Sequence, residues 1–278
     1  MLDLQEFIRL SLEEDFGSGD HTSLSCIPKG STGSAELLVK ADGVLAGVNL
    51  ACSIFKQFDP EITFEKILED GTSVQKGTLA FKVHGSIHTL LGCERLALNC
   101  MQRMSGIATK VAGLKKMILA YPAKILDTRK TTPGIRAIEK WAVKIGGGEN
   151  HRFALYDMIM LKDNHNDFAG GIPQAIAKTK QYLIDNNKDL KIIVEARNLD
   201  EVQQILDAGG VYRILLDNFD YETTKKAVAM IGNQCLTESS GNINERTIRH
   251  YAECGVNYIS SGALTHSVYN MDLSLKAI

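Results

Sequence analysis

At 278 residues and 44% hydrophobic, the chain is long enough to bury a full core and to form one large domain or two. A formal net charge of −2 carries no polyanion-binding signal, so no nucleic-acid partner is expected, and no apolar run reaches the ~18 residues of a membrane-spanning helix. Six cysteines without CxxC spacing make a poor zinc or disulfide framework and fit a reducing cytoplasm, and the acidic, amphipathic start from Met1 to Asp15 argues against a secretory signal.

In chain order, Leu4, Phe7, Ile8 and Leu12 share one helical face, which Gly17 and Gly19 terminate. Ser34 to Val39 alternates as a strand, and Val48 to Phe58 has a helical face made by Leu50, Ile54, Phe55 and Phe58. The turn-rich stretch from Gly71 to Gly85, with Leu79, Phe81 and Val83 alternating, predicts an antiparallel sheet with tight glycine turns. Its GxxVxxGxxL spacing resembles a biotinyl or lipoyl carrier, but the Met-Lys-Met hairpin tip of a carrier is missing. His88 to Tyr121 reads as helical with a soft break at Ser105-Gly106, and Pro122 ends it. The domain boundary is placed near Gly113. This gives an N-terminal domain over 1–112 and a second domain over 113–266, with the alternating tail (267–278) returning to the N-terminal sheet.

Beyond Pro122, short apolar runs alternate with helical faces. Strands are expected at Lys124 to Asp127, Met158 to Leu161, Lys191 to Glu195, Val211 to Asp217, Cys235 to Glu238 and Asn257 to Ser260. Helices are expected at Ile172 to Ile184, Leu199 to Ala208, Tyr221 to Ile231 and Asn244 to Cys254. Such units imply parallel strands with right-handed crossovers. About 150 residues are on hand, against ~250 for a closed eight-stranded barrel. An incomplete, open α/β barrel of about six parallel strands is therefore expected. A doubly wound sheet comes second, because no GxGxxG turn follows the first strand.

Polar groups recur at the ends of these strands. The first tip is Asp127-Thr128-Arg129-Lys130-Thr131-Thr132-Pro133-Gly134, and later tips carry Lys162, Glu195, Asp217, Ser240 and Gly262. Strand tips on one rim are where a barrel enzyme meets its substrate. Arg129, Lys130, His151, Arg152 and Lys162 lie at predicted tips or loops, where converging cations bind a small di- or trianion, each charge-assisted bond contributing ~1.5–3 kcal/mol. Arg136, Lys140 and Lys144, at i, i+4, i+8 spacing, read instead as a solvated helix face. Gly146-Gly147-Gly148 lacks the GxxxxGK[ST] pattern and reads as permissive backbone ahead of His151 and Arg152. Glu195 and Asp217 are either counter-ions to these cations, ligands to magnesium directly or through water, or stabilisers of a developing positive charge. Ser239-Ser240-Gly241-Asn242 and Ser260-Ser261-Gly262-Ala263 follow the last two strands, where backbone N–H groups can approach a phosphate. With no GxSxG or HExxH motif, positioning and electrostatics are favoured over a covalent intermediate. Other readings are a Schiff-base lyase using Lys130 or Lys162 and a non-catalytic anion-binding protein.

DTRKTTPG (127–134), GGGENHR (146–152), LKDNH (161–165), LLDN (215–218), ESSGN (238–242) and SSGALTHS (260–267) together resemble the quinolinate phosphoribosyltransferase family. Glu14-Asp15, Gly19-Asp20-His21-Thr22, Glu94-Arg95 and Asn99 extend the resemblance to the N-terminal half. It implies a small α/β sandwich domain joined to an incomplete α/β barrel. The implied reaction joins quinolinate to 5-phosphoribosyl-1-pyrophosphate, with magnesium, giving nicotinate mononucleotide, pyrophosphate and carbon dioxide for NAD synthesis. It also implies a homodimer, or a hexamer of dimers, while the cysteine pattern points to the cytoplasm. By the same resemblance Arg129, His151, Arg152 and Lys162 face the quinolinate carboxylates, Lys130 lies near both substrates, and Arg95 reaches a partner subunit's site. Glu195 and Asp217 serve the ribose and metal. Thr128 joins the substrate-binding set, while Ser240, Gly241, Asn242, Ser261, Gly262 and Ala263 surround the phosphate, with His266 nearby. Asn242 stands where glycine is common in the family, and Ala196 follows Glu195 where the family varies. A related phosphoribosyltransferase-like protein with another acceptor is the near alternative.

Overall fold

The computed structural model describes residues 3–278. In chain order the first elements are α1 (Leu4–Phe16), α2 (His21–Cys26), β1 (Thr32–Val39), β2 (Gly43–Val44), α3 (Val48–Phe58), β3 (Thr63–Lys66), β4 (Ser73–Val74), β5 (Leu79–Ser86) and α4 (Ile87–Met117). Then come β6 (Lys124–Leu126), α5 (Arg136–Ile145), β7 (Ile159–Leu161), α6 (Asp163–Ala169), α7 (Ile172–Asp185), β8 (Ile192–Ala196) and α8 (Leu199–Ala208). The last are β9 (Arg213–Asp217), α9 (Tyr221–Ile231), β10 (Leu236–Ser240), α10 (Ile248–Glu253), β11 (Tyr258–Ser260), α11 (Ala263–His266) and β12 (Leu273–Ala277). The chain forms two compact units. One takes the residues up to Ala112 with 132–147 and 267–278, and the other takes 113–131 and 148–266.

In the first unit an antiparallel sheet runs β12-β1-β5-β3, beside a β2-β4 ribbon. Period-two alternation turns Ala35, Leu37 and Val39 of β1 into the core. Phe64 and Phe81 pack at 4.4 Å between ring centroids, and Phe55 of α3 closes on Phe64 at 6.2 Å. Fully buried side chains of this size stabilise the fold by ~1.5–3 kcal/mol each. Helix α4 is continuous for 31 residues, so the expected break at Ser105-Gly106 is absent. The Ser105 hydroxyl donates to the Ala46 carbonyl at 3.1 Å and accepts from the Ala46 N–H at 2.9 Å. Gly106 gives the room in which the Tyr269 carbonyl lies against the helix. Both residues are there for close packing, not for interruption.

Segment 132–147 differs from the sequence-based expectation, which kept it with the barrel. Glu139, with no solvent exposure, accepts from Arg103 of α4 at 2.7 and 3.0 Å and from the Thr132 N–H and hydroxyl at 3.0 and 2.9 Å. Gly146 packs directly on Ala108 and Val111. These contacts draw α5 to α4. They also correct the reading of Arg136, Lys140 and Lys144 as one solvated face, since Lys140 is buried.

The second unit is a six-stranded parallel sheet in the order β6-β11-β10-β9-β8-β7. The strands β6 and β7 are successive in the chain yet occupy opposite edges, so the barrel is open between them. Only a short bridge of Leu126 to Glu149 extends the β6 edge. Helices α7, α8 and α9 occupy the expected positions, whereas α10 begins at Ile248. The residues before it form a turn in which the Thr247 hydroxyl accepts from the Asn244 N–H and donates to the Asn242 carbonyl. The short α6 was not anticipated. Among the described residues no helix is long and apolar enough to cross a membrane. All six cysteines are free, and burial pushes the Cys93 and Cys100 thiols up to about 12.

A side chain at Gly106 has no room beside the Tyr269 carbonyl. Gly106→Ala is therefore expected to cost about 1–3 kcal/mol by overpacking, measured as a lower midpoint in urea unfolding.

Candidate active site

Because the strands are parallel, their C-terminal ends share one rim. A cavity of about 830 Å³ opens there. It is lined by Thr128, Arg129 and Lys130 after β6, by His151 and Arg152, and by Lys162 after β7. Glu195 of β8, Asp217 of β9, Ser240, Gly241 and Asn242 from β10, and Ser261, Gly262, Ala263 and His266 after β11 complete the set expected from sequence. Arg95 alone lies elsewhere, exposed on α4 of the other unit.

The cationic wall depends on a short parallel pairing. The Glu149 N–H donates to the Ile125 carbonyl at 2.8 Å, and the Asp127 N–H donates to the Glu149 carbonyl at 3.2 Å. Asp127, fully buried, then accepts the His151 N–H at 2.8 Å. Gly147, at φ 87°, makes the turn that allows this return. Arg152 donates through a terminal nitrogen to the Met158 carbonyl at 3.1 Å. Its guanidinium is held below its ordinary pKa, first by burial and then by the positive charge of Arg129. The buried Nε of Arg129 has no hydrogen-bond partner. Two crowded guanidinium groups with unused donor capacity are a receptor for carboxylates.

The other chemistry lies on β8 and β9. Glu195 is 9% exposed. Burial pushes its carboxyl above the usual range, the negative charge of Asp217 adds to this, and Lys162 opposes both. Asp217 accepts from the Asn218 amide at 2.8 Å. Two interacting carboxylates offer hard oxygen donors, and they lack a compensating charge sufficient to restore Glu195. This donor set fits magnesium, which commonly takes one or two carboxylates and completes its shell with water and phosphate oxygens. No cluster of three or more His, Cys, Asp or Glu suited to a metal occurs among the described residues.

The turns after β10 and β11 bring backbone close to the cavity. Gly241 at φ 94° and Asn242 at φ 54° are both left-handed, and asparagine is the residue that best tolerates that region after glycine. Asn242 thus holds a conformation that glycine would otherwise supply. Gly241 packs against Asn218, itself left-handed at φ 55°. Ser261 donates its N–H to the Leu126 carbonyl at 3.0 Å and its hydroxyl to the Ile243 carbonyl at 3.1 Å. Gly262 lies against the Lys130 stem and the His266 ring, while the Thr265 hydroxyl donates to the Lys130 carbonyl at 2.8 Å. Lys130 is thereby held by the last turn of the unit.

Sequence reasoning missed the Glu238 side chain, which also lines the cavity, and read Ser260 only as part of the phosphate-facing stretch from Ser260 to Ala263. Both were predicted as strand residues. The available signal was period two: Glu238 precedes Ser240 by two, and Ser260 precedes Gly262 by two, so each shares the inward face of a tip residue.

The raised Glu195 carboxyl sets a sign for stability. Its native state holds the proton more tightly than the unfolded chain, so this contribution is present in acid and is lost as pH rises through the native titration. Glu195→Gln is expected to leave the unliganded protein unchanged in acid. Above the ordinary carboxylate range it should raise Tm, as measured by thermal unfolding across pH.

Comparisons with known proteins agree in both halves of the chain. Residues 20–105 match the N-terminal domain of quinolinate phosphoribosyl transferase, and residues 107–276 match its C-terminal domain. A tobacco (Nicotiana tabacum) protein named quinolinate phosphoribosyltransferase (decarboxylating) 2b, mitochondrial, is 44% identical over 99% of this chain and 82% of its own length. A Bacillus subtilis protein named probable nicotinate-nucleotide pyrophosphorylase (carboxylating) is 37% identical, covering 99% of this chain and 93% of its own. The crystal structure of NadC from Streptococcus pyogenes superposes with a TM-score of 0.93 at 37% identity, covering 99% of this chain and 97% of that one. With both domains matched and the polar tips of one open barrel gathered around a single cavity, this chain belongs to the quinolinate phosphoribosyltransferase family.

Proposed function

We propose that this protein is a pentosyltransferase that condenses quinolinate with 5-phosphoribosyl-1-pyrophosphate, yielding nicotinate mononucleotide, pyrophosphate and carbon dioxide for NAD synthesis. The observation that carries this is the division of charge within one cavity. Arg129 and Arg152 crowd with unused donors, while Glu195 and Asp217 crowd with unneutralised negative charge. Quinolinate is a dianion that needs the first pair. A ribosyl centre losing an anionic leaving group becomes positive and needs the second.

In this reaction the quinolinate nitrogen attacks the anomeric carbon as the carbon–oxygen bond to pyrophosphate breaks, and pyrophosphate leaves with the electron pair. Glu195 and Asp217 stabilise the oxocarbenium-like ribose electrostatically. The resulting pyridinium ring accepts the electron pair released when its adjacent carboxylate departs as carbon dioxide, and that ring carbon then takes a proton. Arg129 and Arg152, with Lys162, orient the ring so that attack is in line. Lys130, buttressed by Gly262 and the Thr265 bond, serves both substrates in this reading. The Gly241-Asn242 and Gly262-Ala263 turns receive the 5-phosphate through backbone N–H groups, with Ser240 and His266 beside them, Ser261 fixing the second turn through Leu126 and Ile243, and Thr128 by the acceptor. Glu195 and Asp217 would hold magnesium, whose charge offsets that of the departing pyrophosphate when bound. A homodimer, alone or within a hexamer, is part of the proposal, with exposed Arg95 serving the neighbouring subunit. Six free cysteines suit a reducing compartment such as the cytoplasm.

Carbon dioxide release from carboxyl-labelled quinolinate is expected only when the phosphoribosyl donor and magnesium are both present. Lys130→Ala and Asp217→Ala should each lower kcat roughly 100-fold or more. Release without the donor, or none with all components present, overturns the assignment. For the shared site, Arg95→Ala mixed with Lys162→Ala is expected to regain activity in mixed dimers, measured after subunit exchange is verified. Absence of recovery counts against Arg95 acting in trans.

A further inference from the structure

We propose that Glu238, anchored by Arg213, is a positioning residue that fixes the His151 ring with its proton on Nε2 and thereby sets Arg152 for substrate. The link from Arg152 to quinolinate rests on the function proposed above. The placement of the His151 proton does not.

Glu238 has no solvent exposure. Its Oε2 lies 2.7 Å from a terminal nitrogen of Arg213, itself 5% exposed. The Arg213 guanidinium stacks 4.0 Å over the Tyr258 ring and 5.4 Å from the Tyr212 ring, so its face is fixed and its edge is directed to the carboxylate. Burial works against ionisation of Glu238, yet the adjoining His151 ring, the charge of Arg213 and the Ser260 hydroxyl hold its carboxyl below the usual range. The ionised carboxylate is an acceptor only.

The same Oε2 lies 3.3 Å from His151 Nε2. That contact falls outside hydrogen-bond geometry, but a carboxylate oxygen facing Nε2 favours the imidazole proton on that nitrogen electrostatically. The other ring nitrogen makes the same demand independently: Nδ1 accepts the Arg152 N–H at 2.7 Å, so its lone pair is in use. The His151 N–H is meanwhile tied to Asp127. The peptide groups on either side of His151 are thus set by Asp127 and by its own ring, and the ring lies against the Glu238 carboxylate. This chain of bonds ends at Arg152, whose guanidinium then needs only the Met158 carbonyl to define its direction. His151 in this form supplies orientation, and the cationic grip on the substrate comes from Arg129 and Arg152.

Two measurements test this. Nitrogen-15 NMR of the histidine rings in the full-length, unliganded protein near neutral pH is expected to show His151 protonated on Nε2, with Nδ1 unprotonated and hydrogen-bonded. A proton on Nδ1, or on both nitrogens, overturns the proposal. This arm needs no turnover, so loss of the functional assignment and loss of the positioning chain are separately visible. The second arm is the double variant Arg213→Met with Glu238→Met, which removes the ion pair without leaving either charge buried alone. In the folded double variant the quinolinate KM should rise roughly tenfold, with the phosphoribosyl-donor KM changed less than about twofold, and His151 should populate both tautomers. A folded double variant with unchanged quinolinate KM and an unchanged His151 ring overturns the proposal, because a purely structural ion pair predicts that result. If the double variant does not fold, the ring measurement on the unaltered protein decides.

Discussion

The hydrogen bond from the His151 N–H to the buried Asp127 carboxylate is the constraint on which the cationic side of the pocket depends. It joins the tip of β6 to a segment that returns only after the excursion through α5. Without it the pairing of 149 with Leu126 is a single bridge at an open edge. With it, Arg129 from one side of the bond and Arg152 from the other are brought close enough for the charge of one to depress the ionisation of the other. A buried carboxylate that serves the backbone rather than the substrate thus decides where two substrate-facing cations lie.

The pocket keeps its opposite charges apart instead of pairing them. Glu195 and Asp217 project from adjacent strands, and Lys162 only partly offsets their mutual repulsion. Glu238, on the next strand, is a carboxylate of another kind, already committed to Arg213 and His151. Three acidic side chains on three neighbouring strands therefore divide into two without a full counter-charge and one paired with a buried guanidinium. The first two are free to meet a ligand's positive charge, whereas the charge of the third is already met by Arg213.

Much of the fold was legible because an apolar run followed by a polar tip is a local pattern. Each parallel strand carries it within five or so residues, and β6 through β11 lie where those runs stand. The tip residues gather for the same reason, since parallel strands can only end on one rim. What escaped was non-local. Glu238 was visible as a strand residue, but its value comes from Arg213 on β9 and from His151 in a loop, which no spacing within β10 records. Lys140 has the i, i+4 companions of a solvated face, yet Glu139 draws its helix down onto α4 and buries it. Ser105-Gly106 looks like a helix break because small residues also weaken helices. Here the same smallness admits the Tyr269 carbonyl, a partner 163 positions later in the chain.

The position of β12 has a consequence for how such a chain is made. This strand pairs only with β1, so the sheet of the first unit is finished by residues that follow the whole barrel in sequence. During synthesis the barrel segment leaves the ribosome complete while that sheet still has an open edge along β1. An edge of unpaired peptide groups is a template for another chain. The β1 edge is therefore open to mispairing from its own emergence until β12 arrives, and closing it requires the last strand to find the first across the whole intervening chain.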